Sequence, residues 1–185
     1  TPSPHFQNFL SWYQYFSQDQ GRSMELNKIL QDALPGFNHF KFNISGEDSR
    51  ILTALFQDSE SAAQVPYRFH ELSDGQQMII ALYSLILSDE NNGVKPILLI
   101  DEPDNFLALS EIQPWLHELF DRATENKLQA VLISHHPEII NYLASEAGIF
   151  LFRESNRPTR KRKLCNEDSE DLAISELLAR DWLNG

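Results

Sequence analysis

Ile97-Leu98-Leu99-Ile100-Asp101-Glu102-Pro103 is the stretch on which the fold turns. Four consecutive aliphatic residues after Pro96 are too short and too uniformly apolar for a surface strand. They fit a central parallel strand covered on both faces. Asp101 and Glu102 then fall at the carboxyl edge of that strand, where open α/β sheets hold ligands. Adjacent carboxylates there cost free energy through desolvation and mutual repulsion unless a cation or a proton-transfer task compensates. A hydrated Mg²⁺ held through Asp101, with Glu102 positioning an attacking water, meets both conditions. A pair of exposed turn carboxylates before Pro103 is the structural alternative.

Two further segments flank this strand. Upstream, Leu72-Ser73-Asp74-Gly75-Gln76 heads an apolar-periodic run. Ser73 with Gln76 three places on is a capping box, which exposes a helix N-terminus. Unpaired amides and the positive end of the helix dipole attract an anion there, and Gly75 allows a phosphate to come close. Downstream, Leu128 to Ile133 reads as a second buried strand, and Ser134 and His135 follow its end. An imidazole at that edge can donate a hydrogen bond to a γ-phosphate. His136 is adjacent, but successive residues of an extended segment point to opposite sides, so the pair is poorly placed to chelate one ion.

The remaining pattern is consistent with alternating strands and helices. Ile79, Leu82, Leu85 and Ile86 give one helix its apolar face, ended by Asn91-Asn92-Gly93. Ile112, Leu116, Leu119, Phe120 and Ala123 give another, with Pro114 tolerable only in its first turn. A helix over 138–145, a strand over 149–152 and a last helix through Leu172, Leu177, Leu178 and Trp182 complete this part. Nearer the start, Phe6, Phe9, Leu10, Tyr13 and Phe16 recur at helical spacing, as do Leu26, Ile29, Leu30, Ala33 and Leu34 before Pro35-Gly36. The aromatic stripe reads as core or partner-helix contact rather than a base-stacking platform. Residues 37–45 and 51–56 look like paired strands joined by Gly46-Glu47-Asp48, and 58–65 like a loop. Three regions are expected: 1–68 with helices and a strand pair, 69–152 with the chemistry-bearing core, and 153–185 with a hairpin and helix.

The chain has 185 residues, 42% of them hydrophobic, enough for one well-buried domain. A formal charge of −12 repels phosphate backbones, so nucleic-acid contact has to be local. Arg160, Lys161, Arg162 and Lys163 are the candidate patch, although a run from Arg157 followed by Glu167-Asp168-Ser169-Glu170-Asp171 reads first as a solvated hairpin loop. Ile79 to Leu87, the longest strongly apolar stretch, is far short of the roughly 20 residues that span a bilayer, so no membrane partner is expected. A single cysteine, Cys165, fits a reducing compartment, and the expected location is cytoplasmic. Thr1 stands where an initiator Met would, which suggests a piece of a longer protein.

Leu72 to Gln76, then Ile97 to Pro103, then Ile133-Ser134-His135 resemble the signature motif, Walker B motif and switch histidine of ABC-type ATPases. The likeness runs from about Phe69 to Asn141. Glu102-Pro103-Asp104-Asn105 and Ser134-His135-His136-Pro137 place it nearer the ATPases grouped with the SMC, RecF and OLD-type proteins than transporter cassettes. The resemblance implies a P-loop NTPase α/β fold of the ABC-ATPase kind, a mostly parallel sheet flanked by helices. It implies ATP and Mg²⁺ as cofactors and a homodimer that sandwiches the nucleotide. Ser73, Asp74, Gly75 and Gln76 would then contact the γ-phosphate held by the opposite copy. Asp101 would support Mg²⁺, Glu102 would be the general base, and His135 would sense the γ-phosphate. A DNA-repair, chromosome or phage-defence setting is implied, with an effector protein or nucleic acid as further partner. Two departures stand out. Ala108 occupies a D-loop position, within Phe106 to Ser110, where such proteins place His or Asp. No Gly-x-x-x-x-Gly-Lys-Ser/Thr loop occurs in the chain, so a partial domain lacking the Walker A lobe, inactive on its own, is expected. The alternative is a dimerisation or interaction module that has lost turnover.

Overall fold

The computed structural model describes residues 8–45, 49–58, 63–88, 95–164 and 173–180. They fall into two compact units, Thr1–Leu132 and Ile133–Gly185.

In the first unit, helices α1 (Phe9–Phe16) and α2 (Gln20–Ala33) form as the spacing predicts. Phe9, Tyr13 and Phe16 are buried, which bears out the core reading of the aromatic stripe; Phe6 lies outside the described residues. Phe9 stacks on Phe69 with ring centres 4.4 Å apart, and Tyr13 packs on Phe40 at 4.9 Å. Asp19 caps α2 by accepting a hydrogen bond from the Arg22 amide at 3.2 Å. Gly36 then takes a φ of 81°, a conformation costly for any side-chain-bearing residue, and turns the chain into β1.

Strands β1 (Phe37–Ser45), β2 (Ser49–Gln57) and β3 (Gln64–Arg68) make an antiparallel sheet in that order. The turn at Gly46-Glu47-Asp48 lies outside the described residues. β3 corrects the reading of 58–65 as loop throughout, because Gln64 and Val65 already pair with Gln57 and Phe56. The sequence masked this strand because Pro66 sits in it. On an edge strand, a proline's missing N–H need not break a ladder.

Helix α3 (Asp74–Ile86) is buried almost all round from Ile79 to Ser84, and the Ser84 hydroxyl donates to the Ile80 carbonyl at 2.6 Å. The Asn91-Asn92-Gly93 stop lies outside the described residues. β4 (Ile97–Asp101) and β5 (Gln129–Ile133) are neighbours joined through helix α4 (Leu109–Thr124), a strand–helix–strand crossover that makes the pair parallel. α4 buries Ile112, Trp115, Leu116 and Leu119. Arg122, paired with Glu118 of the same helix at 2.6 Å, ties α4 to α2 through Glu25 at 2.7 Å.

Three expectations are corrected here. β4 is not covered on both faces: Leu98 is buried, but Ile97 and Leu99 are 65% and 77% exposed. β5 alternates likewise, with Val131 and Ile133 exposed. One face of this pair is exposed among the described residues, so an all-apolar run does not prove two-sided cover. Pro114 is the sixth residue of α4, not part of its first turn. It sits on the exposed side, where the lost Ser110 acceptor can be satisfied by water.

The second unit holds α5 (Pro137–Ala147), β6 (Ile149–Phe152), β7 (Arg160–Lys163) and α6 (Ile174–Ala179). Its core gathers Ala144, Leu164, Ile174 and Leu177, with Phe150 packed against them. The basic run is not a loop: Arg160 to Lys163 pair antiparallel with Phe152 to Ile149. Directly opposed residues share a face, so Lys161 and Lys163 stand beside the exposed Leu151 and Ile149. Cys165, the acids 167–171, Leu172 and Trp182 lie outside the described residues. No helix among those described is long and apolar enough to cross a membrane.

Candidate active site

Ser73 ends an extended segment with φ −62° and ψ 157°, so its hydroxyl faces the first turn of α3. Its Oγ accepts from the Gln76 amide at 3.2 Å, and Gln76 Oε1 accepts from the Ser73 amide at 3.0 Å. The capping box read from the sequence is therefore formed. It satisfies two amides and leaves those of Asp74 and Gly75, the first two helical residues, without an intrahelical acceptor. The Leu72 carbonyl accepts from Gln77 Nε2 at 2.8 Å, and the buried Leu72 side chain pins the turn to the core. Ser73 and Asp74 are exposed, so the turn is open to a ligand.

Asp101, the last residue of β4, is exposed. Glu102 follows with φ 48°, and Phe106 with φ 70°. Side-chain-bearing residues in the left-handed region cost about 1–2 kcal/mol each. Two of them lie within one short loop that is held from several sides. Pro103 is fully buried beneath it. The Asn105 amide donates to the Glu102 carbonyl at 3.1 Å, and the Leu107 amide to the Asp104 carbonyl at 3.0 Å. Glu102 Oε2 is buried while Asp101 is exposed. The two carboxylates thus occupy different environments. A single exposed carboxylate fits Mg²⁺, which keeps waters and phosphate oxygens as its other ligands. Among the described residues no group of three or more His, Cys, Asp or Glu side chains forms an all-protein metal cage.

At the far end of this loop Ala108 is the N-cap of α4 and offers no side-chain acceptor, while Glu111 Oε2 accepts from the Ala108 amide at 2.7 Å. The loop and the Ser73 turn meet. A Cβ built on Gly75 would lie 2.8 Å from the Phe106 carbonyl oxygen.

His135 belongs to the second unit, in the segment between β5 and α5, and is exposed. His136 has a different task. Its Nδ1 accepts from the Glu138 amide at 3.2 Å and caps α5, and its own amide donates to Ser134 Oγ at 3.0 Å. The sequence carried a signal for this cap in Pro137, a favoured first helical residue. A cleft of about 640 Å³ in the first unit, lined by Gly36, Phe56, Asp58, Tyr67, Glu71 and Gln76 among others, was not foreseen. Its two carboxylates make it a poor phosphate site.

A parallel strand that delivers two acids to its carboxyl edge, flanked by a crossover helix, makes this part of the chain α/β, and its likeness to a solved structure gives the fold as the P-loop NTPase kind. A solved SMC ATPase, described in terms of ATP-driven dimerization and DNA-stimulated activation, superposes with a TM-score of 0.63 at 13% identity. The match covers 92% of this chain and 96% of that one. Residues 7–141 match the family described as "AAA domain, putative AbiEii toxin, Type IV TA system", and the chain belongs to that family. A Mycobacteroides abscessus protein named "Antibiotic resistance protein" is 36% identical over 92 residues, which cover 46% of this chain and 15% of that protein. The chain therefore spans only a small part of that relative's length.

Proposed function

We propose that this chain is the signature-bearing, acid-bearing part of an ATPase head that hydrolyses ATP and closes, when nucleotide is bound, on a second copy of itself. The observation that carries the reading is Glu102, forced into left-handed backbone at the carboxyl edge of β4 directly behind an exposed Asp101. Backbone strain of that kind persists where a side chain has to be aimed.

In this reading Glu102 accepts a proton from the water that attacks the γ-phosphorus, and the bond to the β–γ bridging oxygen breaks as ADP leaves. Asp101 would hold a Mg²⁺, which when bound would supply charge neutralisation. The amides of Asp74 and Gly75, with the Ser73 hydroxyl, face the γ-phosphate of nucleotide bound by the opposite copy. Asp74's own carboxylate opposes an anion at that point, so the turn is suited to a phosphate already balanced by metal. His135 donates a hydrogen bond to the γ-phosphate. The exposed faces of β4 and β5 support the view that a Walker A lobe lies elsewhere in the full protein. The family description, with its toxin and type IV system, supports a defence setting over a transport one.

The test is Glu102→Gln in the full-length protein. Phosphate release should fall by about 10²–10⁴-fold, the range of a general base, while ATP-dependent dimerisation in sedimentation persists. Unchanged turnover would remove Glu102 from its role. Ala108, an N-cap without an acceptor where such proteins place His or Asp, favours the rival reading of a dimerisation module without turnover. ATP-dependent association of the unmodified protein with no phosphate released would decide for the rival.

A further inference from the structure

Gly75 has no conformational reason to be glycine. It is the second residue of α3, and Gly36 is the glycine with positive φ among those described. In a helix, glycine is less favourable than alanine because it gives up more backbone freedom on folding. Something else at this position therefore excludes a side chain. The space a Cβ would take is filled by the Phe106 carbonyl oxygen at 2.8 Å, with Leu107 Cδ2 at 3.7 Å. A backbone oxygen cannot swing aside as the end of a long side chain can. Phe106 itself is 71% exposed, so burial of its ring does not offset its left-handed backbone. The structure holds its carbonyl in place, not its ring.

We infer that Gly75 is a positioning residue for Glu102, and that the Gly75–Phe106 contact makes the Ser73 turn and the 102–108 loop move as one body. The assignment rests on Glu102 being the base proposed above. The route is short: Gly75 abuts the Phe106 carbonyl, and the turn bond from the Asn105 amide to the Glu102 carbonyl carries the loop back to the acid. A phosphate seated on the Asp74 and Gly75 amides would in this way set the Glu102 carboxylate of the same copy. Gly75 thus has two separate faces, its amide toward the anion and its Cα against the loop.

The experiment compares Gly75→Ala, Phe106→Gly and the double variant of the full-length protein by residue-resolved amide exchange without nucleotide, then by ATPase kinetics. Gly75→Ala should speed exchange at the Asn105 and Leu107 amides by about tenfold, the size of coupling found between contacting residues. It should lower kcat with KM for ATP nearly unchanged. In the double variant a glycine at position 106 adopts the left-handed backbone without strain and lets the carbonyl yield, so exchange and kcat should return toward those of Phe106→Gly alone. Should Gly75→Ala unfold the protein, recovery of folding in the double variant is the expected sign, and an unfolded double variant overturns the proposal. Unaltered exchange at both loop amides in a folded Gly75→Ala protein also overturns it. The exchange measurement needs no turnover, so it decides the coupling even if the parent protein hydrolyses nothing.

Discussion

Glu102 pays for its placement in backbone strain, and that strain can be removed. Glu102→Gly should abolish hydrolysis and yet stabilise the fold by about 1 kcal/mol, because glycine adopts φ near +50° freely. For a chain of this size that is a melting-point rise of roughly 2–4 °C. A lower melting point would mean that contacts of the carboxylate outweigh the strain. Ser73→Ala removes the acceptor for the Gln76 amide and should cost about 1 kcal/mol in a denaturant titration. Ala108→Asp should do the opposite. Position 108 is an exposed N-cap with extended backbone and no acceptor, so an Asx side chain there should add about 0.5–1 kcal/mol. At this scale the sequence was legible where the interaction is local. The Ser73–Gln76 box spans three residues and could be read directly, whereas the strain at Glu102 and Phe106 follows from the buried Pro103 and the packing around it.

Among the elements, the β4–β5 pair sets the clearest test. Leu98 is buried and Leu99 points to the opposite, open face, 7% against 77% exposed. Leu98→Ala should cost about 2–3 kcal/mol through the cavity it leaves. Leu99→Thr in the same chain should change stability by less than about 0.5 kcal/mol and reduce binding of a hydrophobic dye. In the full-length protein the Leu99 change should become costly, because the reading above places further protein on that face. Equal, small effects in both would argue that the face is bare throughout. Element type and order were readable because periodicity reports which residues avoid water. What lies against each face is a property of neighbours, and periodicity in β4 alone could not say that one side is open. The same holds for Arg160 to Lys163, whose charge suggested a loop while pairing with 149–152 makes it a strand.

For the molecule as a whole, buried phenols tie stability to alkaline pH. Burial pushes Tyr13 up from 10.0 to about 12, partly offset by a hydrogen bond from Ser23. Burial pushes Tyr83 up to about 12 as well, aided by the carboxylates of Glu118 and Asp32. Both raised values mean that the folded state binds these protons more tightly than the unfolded chain. Their contribution is complete below pH 10 and is lost as pH rises toward 12. Absorbance of ionised tyrosine should therefore include a step coincident with loss of the far-ultraviolet helix signal between those limits. Ionisation of every tyrosine near pH 10 with the helix signal intact would contradict it.

The sequence by itself determined the helices, the described strands other than β3 and β7, the capping box at Ser73, and the delivery of Asp101 and Glu102 to a strand end. All of these depend on short-range spacing, on local backbone preferences or on the avoidance of water by one face. Tertiary structure alone decided that β3 joins the antiparallel sheet, that the basic run pairs as β7, that β4 and β5 leave a face open, and that Gly75 seats the Phe106 carbonyl. Each of these is a contact whose partner is chosen by three-dimensional packing, and the energy of such a contact belongs to the pair and is written in neither residue.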